Sequence, residues 1–256
     1  MQYLAEAQTD IGITKTVNQD SLVVKIADTD IGEVLMAVIC DGLGGLQHGE
    51  IASANAVLAF EEWFCTTLPV LIARGISEQE IETQWKKMIN QINTKIIGYG
   101  EEKHIKLGTT ITAVLFVEEH YYVIHVGDCR LYQLSDSLKQ LTQDQTFIAQ
   151  QIELENMTIE EAQKDSRKNM LLQCVGINYN IHPDFFCGTI SPNSIYLLCT
   201  DGFRHEITED EIFEYCNPDR NTDERMMNQN LKYMIDTVKD RQETDNISAI
   251  MIRSQE

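Results

Sequence analysis

The chain has 256 residues, 43% of them apolar, and its 20 Lys and Arg against 40 Asp and Glu give a formal net charge of −20. This length and apolar content suffice for a sizeable core, and only 4 prolines and 14 glycines argue against a disordered or fibrous chain. The charge disfavours nucleic acid and anionic membrane surfaces as partners, because both require positive patches on the protein.

The cysteines and the N-terminus bear on where the protein works. Seven cysteines without a C-x-x-C pair indicate reduced thiols in the cytoplasm rather than disulfides or a zinc site. The first residues show no basic region followed by an apolar stretch, so no signal peptide is expected. We also count no apolar run near the roughly 20 residues that a membrane helix needs. The sequence therefore predicts a cytoplasmic protein without membrane contact.

The first half of the chain contains three predicted strands and two predicted helices. The strands are 3–9, 21–27 and 33–40, and a polar loop at 10–20 separates the first two. One helix covers 49–64, and a longer one opens at the capping box Ser77-x-x-Glu80. Its apolar stripe predicts core packing and consists of Ile81, Trp85, Met88, Ile92 and Ile96.

The second half returns to strands and ends in a helix and a strand. Predicted strands are 110–117 and 121–126, which form a hairpin, then 130–134, 185–189, 194–199 and 247–252. A polar, helix-prone segment at 142–170, with a capping box at Thr158-x-x-Glu161, interrupts the β pattern. Thr208-x-x-Glu211 caps another helix, and a longer helix covers 223–239. Adjacent strands and paired helices predict one domain, 1–256, of antiparallel sheets with helices outside.

The apolar strand 33–40 is followed at once by an acid and three glycines, in Asp41-Gly42-Leu43-Gly44-Gly45. Glycines let the backbone turn without a Cβ in the way of a ligand. Alone, such a turn is more often only a turn, but related acid-bearing turns recur at Val126-Gly127-Asp128, Thr200-Asp201-Gly202 and Thr244-Asp245-Asn246.

Four acids lie at strand ends or beside them: Asp20, Asp41, Asp201 and Asp245. If the fold brings them together, their oxygens suit Mg²⁺ or Mn²⁺, and crowding without metal would raise some pKa values. Two such cations can activate a water for attack on a phosphate ester.

The other reactive side chains give little indication of chemistry. His125 lies in a predicted strand and is interpreted as structural, whereas His48 follows the glycine turn and could approach the site. Cys129 is interpreted as a small packing residue. No G-x-S-x-G elbow, phosphate-binding loop or dinucleotide fingerprint is found in the sequence.

Taken together and in order, the motifs resemble those of the metal-dependent protein phosphatases, the PPM family (type 2C), in the compact bacterial form. The N-terminal motifs are Asp10-Ile11-Gly12, Asn18-Gln19-Asp20, Asp41 to Gly45, and Gly49-Glu50-x-Ala52-Ser53. The later ones are Gly108-Thr109-Thr110, His125 to Arg130, Leu141-Thr142-x-Asp144, Arg167-x-Asn169, Val175-Gly176, Thr200-Asp201-Gly202 and Asp245-Asn246.

The resemblance implies an α+β fold, a four-layer αββα sandwich with a helical flap at about 142–170. It implies hydrolysis of phosphoserine and phosphothreonine in proteins through a metal-activated water. The implied ligands of two Mn²⁺ or Mg²⁺ ions are Asp20, Asp41, the Gly42 carbonyl, Asp201 and Asp245, with Asp41 bridging. Asp128 would help Asp201 to hold a third, weaker metal. The resemblance also implies phosphorylated proteins as substrates and a cognate Ser/Thr kinase as the enzyme that produces them. It implies a monomer.

Four positions depart from the pattern of the family. Lys15 stands where bacterial members usually carry a phosphate-binding arginine, and it keeps the charge but loses the bidentate fork. Gln145 and Leu46 replace histidines or similar residues, and Cys129 replaces serine. None of these changes removes an implied metal ligand. Two alternatives stay open: a catalytically weak regulatory or partner-binding module of the same fold, and a metallohydrolase of small phosphate esters.

Overall fold

Ten strands pair into two antiparallel sheets in the computed structural model, which describes residues 1–43, 48–162, 165–167 and 170–255. The strands are β1 (Gln2–Asp10), β2 (Ser21–Thr29), β3 (Gly32–Cys40), β4 (Ile111–Val117), β5 (His120–Val126), β6 (Arg130–Leu134), β7 (Leu138–Gln140), β8 (Asp184–Thr189), β9 (Ile195–Cys199) and β10 (Ile247–Gln255). One sheet has the order β1-β10-β9-β6-β7 and the other the order β2-β3-β4-β5-β8.

The helices of the described residues cover the outer faces of the sheets or join the strands. They are α1 (Gly49–Thr66), α2 (Leu68–Arg74), α3 (Glu78–Lys103), α4 (Phe147–Glu153), α5 (Ile159–Ala162), α6 (Asp201–Arg204), α7 (Glu209–Cys216) and α8 (Glu224–Asp240). The apolar faces of α1 and α3 pack on the β2-to-β8 sheet, and those of α7 and α8 pack on the other sheet.

Strand β3 shows why the layers form. Its alternate residues Leu35, Ala37 and Ile39 face the core between the two sheets. Met36 and Val38 point the other way, into the core shared with α1 and α3. Because both faces are buried, the strand is a continuous apolar run rather than an alternating one. The predicted αββα sandwich of two antiparallel sheets is confirmed.

The helix predictions hold with small differences. In α3 the residues Ile81, Trp85, Ile92 and Ile96 are buried as predicted, but Met88 is only partly buried, and the neighbouring Ile89 is fully enclosed. Reciprocal capping boxes are present at both predicted threonine caps, Thr158/Glu161 and Thr208/Glu211. At Ser77 only the serine half is formed, where its side chain accepts from the Glu80 N–H. The short elements α2, β7 and α6 were not predicted.

The segment formed by α1 and α2 is longer and more apolar than was expected from the sequence for any part of the chain. Over residues 49–74 it is long and apolar enough to cross a membrane by length and composition. In this fold Ala52, Ala56 and Phe60 of α1 are buried in the core between the helices and the β2-to-β8 sheet. Because a buried core helix can be equally long and apolar, these two properties alone do not identify a membrane span.

The polar segment 142–170, which was predicted to be helix-prone, contains two short helices, α4 and α5. A backbone bridge between Thr146 and Leu171 joins its two ends. Residues 163–164 and 168–169 lie outside the described part of the chain, and with them Asn169 of the predicted motif.

Candidate metal centre

Strand register brings the four predicted acids to one end of the sandwich. Ser21 pairs with Cys40 where β2 begins and β3 ends, so Asp20 and Asp41 are neighbours in one sheet. In the other sheet, Asp201 follows the end of β9 and Asp245 precedes the start of β10, two antiparallel partners. The acids, distant in sequence, therefore meet because each stands at the same edge of its sheet.

Asp20 links the two sheets directly. Its Oδ2 accepts hydrogen bonds from Ser248 Oγ at 2.7 Å and from Thr200 Oγ1 at 3.1 Å, both of which belong to the opposite sheet or its connection. Neither hydroxyl was predicted to have this role. The only signal in the sequence is their position beside the motifs of Asp201 and Asn246.

The acids are crowded enough to change their protonation. Burial and the nearby carboxylates of Asp201 and Asp245 raise the pKa of Asp20 to about 7, against the hydrogen bonds of the two hydroxyls. Burial and the charges of Asp201 and Asp20, with those of Asp128 and Asp245, raise the pKa of Asp41 well above its usual range. Such a cluster is electrostatically unfavourable unless protons or cations neutralise it.

One oxygen of the cluster is left without a partner. Asp201 Oδ1 is buried and makes no hydrogen bond to the described residues, while Oδ2 lies 3.5 Å from His205 Nε2. A buried carboxylate oxygen is costly without a counter-charge. Together with three neighbouring carboxylates it forms an all-oxygen donor set of the kind that Mg²⁺ and Mn²⁺ prefer. The residues present therefore fit a divalent cation.

The carboxylates are not drawn into a closed ligand sphere. Among the described residues, no group of three or more His, Cys, Asp or Glu side chains stands close enough to hold a metal ion as it is.

Backbone contacts fix the turn at Asp41. The Thr110 hydroxyl accepts from the Asp41 N–H at 2.9 Å, and the Thr109 hydroxyl donates to the Asp41 carbonyl at 2.9 Å. A Cβ added at Gly42 would lie 2.5 Å from the Gln19 carbonyl oxygen, so only glycine fits there. Residues 44–47, including Gly44, Gly45 and Leu46, lie outside the described part of the chain.

Asp128 lies at the edge of the cluster against Arg204. Burial and the Asp201 charge raise its pKa to about 7, while Arg204 acts in the opposite direction. The Arg204 Nη2 donates to the Asp128 carbonyl at 3.1 Å and lies 3.7 Å from its Oδ2. Asp144 lies 3.5 Å from the same nitrogen and accepts three hydrogen bonds from Arg130, at 2.9 and 3.2 Å from Nε and at 2.8 Å from Nη2. This charge network joins Asp128 to the start of the predicted flap.

Lys15 lies at the site, paired with one of its acids. Its Nζ is 2.7 Å from Asp245 Oδ1, and both side chains are partly exposed. The loop that carries Lys15 rests on the backbone of Asp245, because a Cβ added at Gly12 would lie 2.2 Å from the Asp245 carbonyl oxygen.

The pair Glu243 and His205 forms a second link between the acids and was missed from the sequence. Glu243 Oε1 accepts from the N–H groups of Thr244 at 2.7 Å and Asp245 at 2.8 Å. Its Oε2 lies 3.4 Å from His205 Nδ1, and the other ring nitrogen faces Asp201. Although burial favours a neutral ring, the two carboxylates raise the pKa of His205. The two residues lie 38 positions apart in the chain, so no local pattern could reveal the contact.

The remaining residues singled out from the sequence have structural partners. His125 is fully buried between the Thr112 hydroxyl and the Gln143 carbonyl, as predicted. Cys129 is buried in the core between the sheets, as predicted. His48 pairs with Glu50 at 3.1 Å on the exposed side of the turn. Gln145 donates to Asp184 Oδ2 at 2.7 Å and accepts from the Gly127 N–H at 2.9 Å.

Known proteins share both this sequence pattern and this fold. The sequence model of the family described as protein phosphatase 2C matches residues 12–248. A serine/threonine phosphatase stp of Listeria innocua is 30% identical over 224 residues, which cover 86% of this chain and 86% of the relative. The protein phosphatase PhpP of Streptococcus pneumoniae is 27% identical over 214 residues, 82% of this chain and 83% of the relative.

Solved structures show the same architecture. The serine/threonine phosphatase Stp1 from Staphylococcus aureus superposes with a TM-score of 0.82 at 22% identity, covering 100% of this chain and 96% of that one. The catalytic domain of the phosphatase PstP, solved in complex with two manganese ions, superposes with a TM-score of 0.78 at 22% identity, covering 99% of each chain. At these identities the likenesses concern the fold alone.

Proposed function

The chain belongs to the protein phosphatase 2C family, the metal-dependent PPM phosphatases, and we propose that it hydrolyses phosphoserine and phosphothreonine in proteins as a single domain. The observation that carries the proposal is the buried cluster of acids around Asp41. Burial and four neighbouring carboxylates raise the pKa of the Asp41 carboxyl well above its usual range. A fold that gathers this much negative charge loses stability unless a cation neutralises it.

Two Mn²⁺ or Mg²⁺ ions would be held by Asp20, Asp41, the Gly42 carbonyl, Asp201 and Asp245. When bound, the ions would supply Lewis-acid polarisation of the phosphoryl group and lower the pKa of water toward neutral pH. Asp128 and Asp201 would hold a third, weaker ion.

The chain's own residues supply orientation and charge. The hydroxyls of Ser248 and Thr200 hold the Asp20 carboxylate in one orientation across the two sheets. Outer contacts of this kind set the position and basicity of metal ligands. Lys15 would bind the phosphate of the substrate through its ammonium, which is partly exposed and lies beside Asp245.

The biological setting is also part of the proposal. Substrates would be phosphorylated proteins, the products of a cognate Ser/Thr kinase, and the chain would work as a monomer in the cytoplasm. The net charge of −20 supports the absence of nucleic-acid binding, because such partners carry the same sign of charge.

The decisive experiment measures phosphate release from a phosphothreonine peptide in Mn²⁺, before and after EDTA. Asp41→Asn should lower kcat/KM by roughly a hundredfold or more, the scale of losing one transition-state charge contact. Asp136→Asn, the same chemical change in the exposed β6–β7 turn, is the control and should retain activity. Turnover that survives EDTA and Asp41→Asn would sink the proposal.

The same assay separates the alternatives. Metal binding by the purified chain without turnover on any phosphoprotein would indicate a regulatory module of the same fold. Faster turnover of small phosphate esters than of phosphopeptides would indicate a general phosphate-ester hydrolase.

A further inference from the structure

The loop 11–17 exposes apolar side chains beside the candidate metal centre. Ile11, Ile13 and Val17 are 39%, 45% and 49% exposed. All three are β-branched, and they lie within seven residues of a chain whose acids outnumber its bases two to one. Exposed apolar side chains beside a functional site can form part of an interaction surface when they lie together.

The loop is held in place rather than free to fold its side chains inward. The Asn246 side-chain amide donates to the carbonyls of Ile11 at 2.9 Å and Val17 at 3.2 Å. Between these anchors the Thr14 hydroxyl donates to the Thr244 carbonyl. The β-branched side chains also have few rotamers. Binding to this surface would therefore cost little conformational entropy of the loop.

The same loop carries the proposed phosphate-binding residue. Lys15 lies between Ile13 and Val17 in the sequence and reaches Asp245. Adjacent residues of an extended peptide are about 3.5 Å apart. A phosphorylated residue with its phosphate at Lys15 would therefore bring its own neighbours within reach of these side chains.

We propose that the loop 11–17 selects substrates that carry apolar residues next to the phosphorylated serine or threonine. This inference rests on the proposed function and names the substrate class for the same site. Ile13 and Val17 would act as specificity-determining residues by removing apolar surface of the substrate from water. Serine or acidic neighbours would gain nothing there, and acidic ones would also meet the negative charge of the protein.

The test compares two phosphothreonine peptides of equal length and charge, one with leucine on both sides of the phosphothreonine and one with serine. The wild-type chain in Mn²⁺ should favour the leucine peptide by roughly tenfold in kcat/KM, the scale of partly burying two apolar side chains. The double variant Ile13→Ser with Val17→Ser should reduce this ratio to about twofold. Because the ratio compares two substrates of one enzyme, a general loss of activity cancels.

Two variants serve as matched controls. Ile13→Leu keeps an apolar side chain and should retain the preference. Leu58→Ser removes an exposed apolar residue of α1, 60% exposed and outside the loop, and should leave the ratio unchanged. A wild-type ratio near one, or an equal ratio in the double variant, would overturn the inference.

Two further measurements distinguish substrate selection by the loop from a failure of hydrolysis and from self-association. If neither peptide is hydrolysed, the proposed function fails, and the ratio of their Kd values by fluorescence anisotropy then tests the loop by the same criteria. If sedimentation shows a dimer that the double variant abolishes while the peptide ratio stays constant, the surface serves a second copy of the chain, and the inference is wrong.

Discussion

Lys15 Nζ lies 2.7 Å from Asp245 Oδ1, so the proposed phosphate-binding cation is paired with a proposed metal ligand. This pairing gives Lys15 two competing anions, the carboxylate and the phosphate of the substrate. Lys15→Ala should raise KM and the inhibition constant of inorganic phosphate by roughly tenfold, the scale of one charge-assisted hydrogen bond. It should leave the Mn²⁺ requirement unchanged or lower it, because Asp245 loses a competing cation.

Lys15→Arg tests the geometry of the same contact. A guanidinium can bind phosphate with two parallel hydrogen bonds, so the inhibition constant of phosphate should fall below that of the wild-type chain. Lys25→Ala removes another ion-paired lysine, bound to Glu61 on the helical face, and should change neither constant. An unaltered phosphate constant in Lys15→Ala would exclude Lys15 from phosphate binding.

Glu243 should control how tightly the metals bind, because it holds the backbone of Asp245 and faces His205. Glu243→Ala leaves two N–H groups without their acceptor and frees the turn that carries Asp245. The Mn²⁺ concentration for half-maximal activity should rise roughly tenfold or more, as for other residues behind metal ligands. Glu243→Gln keeps the acceptor oxygen and should shift it less.

Titration calorimetry with Mn²⁺ gives the same comparison without turnover, and a thermal melt establishes that each Glu243 variant is folded. Glu214→Ala, which removes an exposed glutamate paired with Arg220, should bind Mn²⁺ like the wild-type chain. Equal Mn²⁺ affinities for Glu243→Ala and Glu214→Ala would refute a positioning role.

The metal-free protein should lose stability as the pH rises from about 4 to about 7, the range between the unfolded and the folded pKa of Asp20. Burial and neighbouring acids raise that pKa to about 7 in the folded chain, whereas an unfolded aspartate has a pKa of about 3.9. Between these values the folded state holds a proton that the unfolded state has released. Stability is therefore greatest below the unfolded pKa and is lost as the pH rises to the folded one, by a few kcal/mol at most.

Thermal unfolding in EDTA and in Mn²⁺, at several pH values across this range, checks the expectation. Bound cations neutralise the carboxylates, so Mn²⁺ should raise the melting temperature more at about pH 7.5 than at about pH 5. Asp20→Asn removes one titrating group and should flatten the slope in EDTA. A melting temperature in EDTA that stays constant or rises with pH would contradict the expected loss of stability of the metal-free protein.

Much of the architecture could be read from the sequence because β3 and α3 carry clear patterns. The run of β3 is buried on both faces, and the stripe of α3 follows a helical period, so each side chain has one possible environment. The short elements α2, β7 and α6 could not be read in this way. They have at most seven residues each, too few for a period to emerge, and tertiary contacts decide their form.

In the candidate site, too, local sequence patterns could be predicted and contacts between distant residues could not. Asp41 and Asp201 could be found because a carboxylate within two residues of the end of an apolar strand is a local pattern, although their roles were inferred from the family resemblance. The contact of Glu243 with His205 and that of Lys15 with Asp245 join residues 38 and 230 positions apart. Only the folded sheets bring these residues together.

Asp128 should bind a cation with lower affinity than the central acids do, because Arg204 already supplies a positive charge 3.7 Å from its Oδ2. Calorimetric titration with Mn²⁺ should therefore show a tight phase and a weak phase in the wild-type chain. Asp128→Asn should remove the weak phase only, whereas Asp41→Asn should weaken the tight phase, because Asp41 faces four other carboxylates. Asp136→Asn should leave both phases intact. If Asp128→Asn titrates like the wild-type chain, Asp128 holds no metal, and its raised pKa reflects only burial beside Asp201.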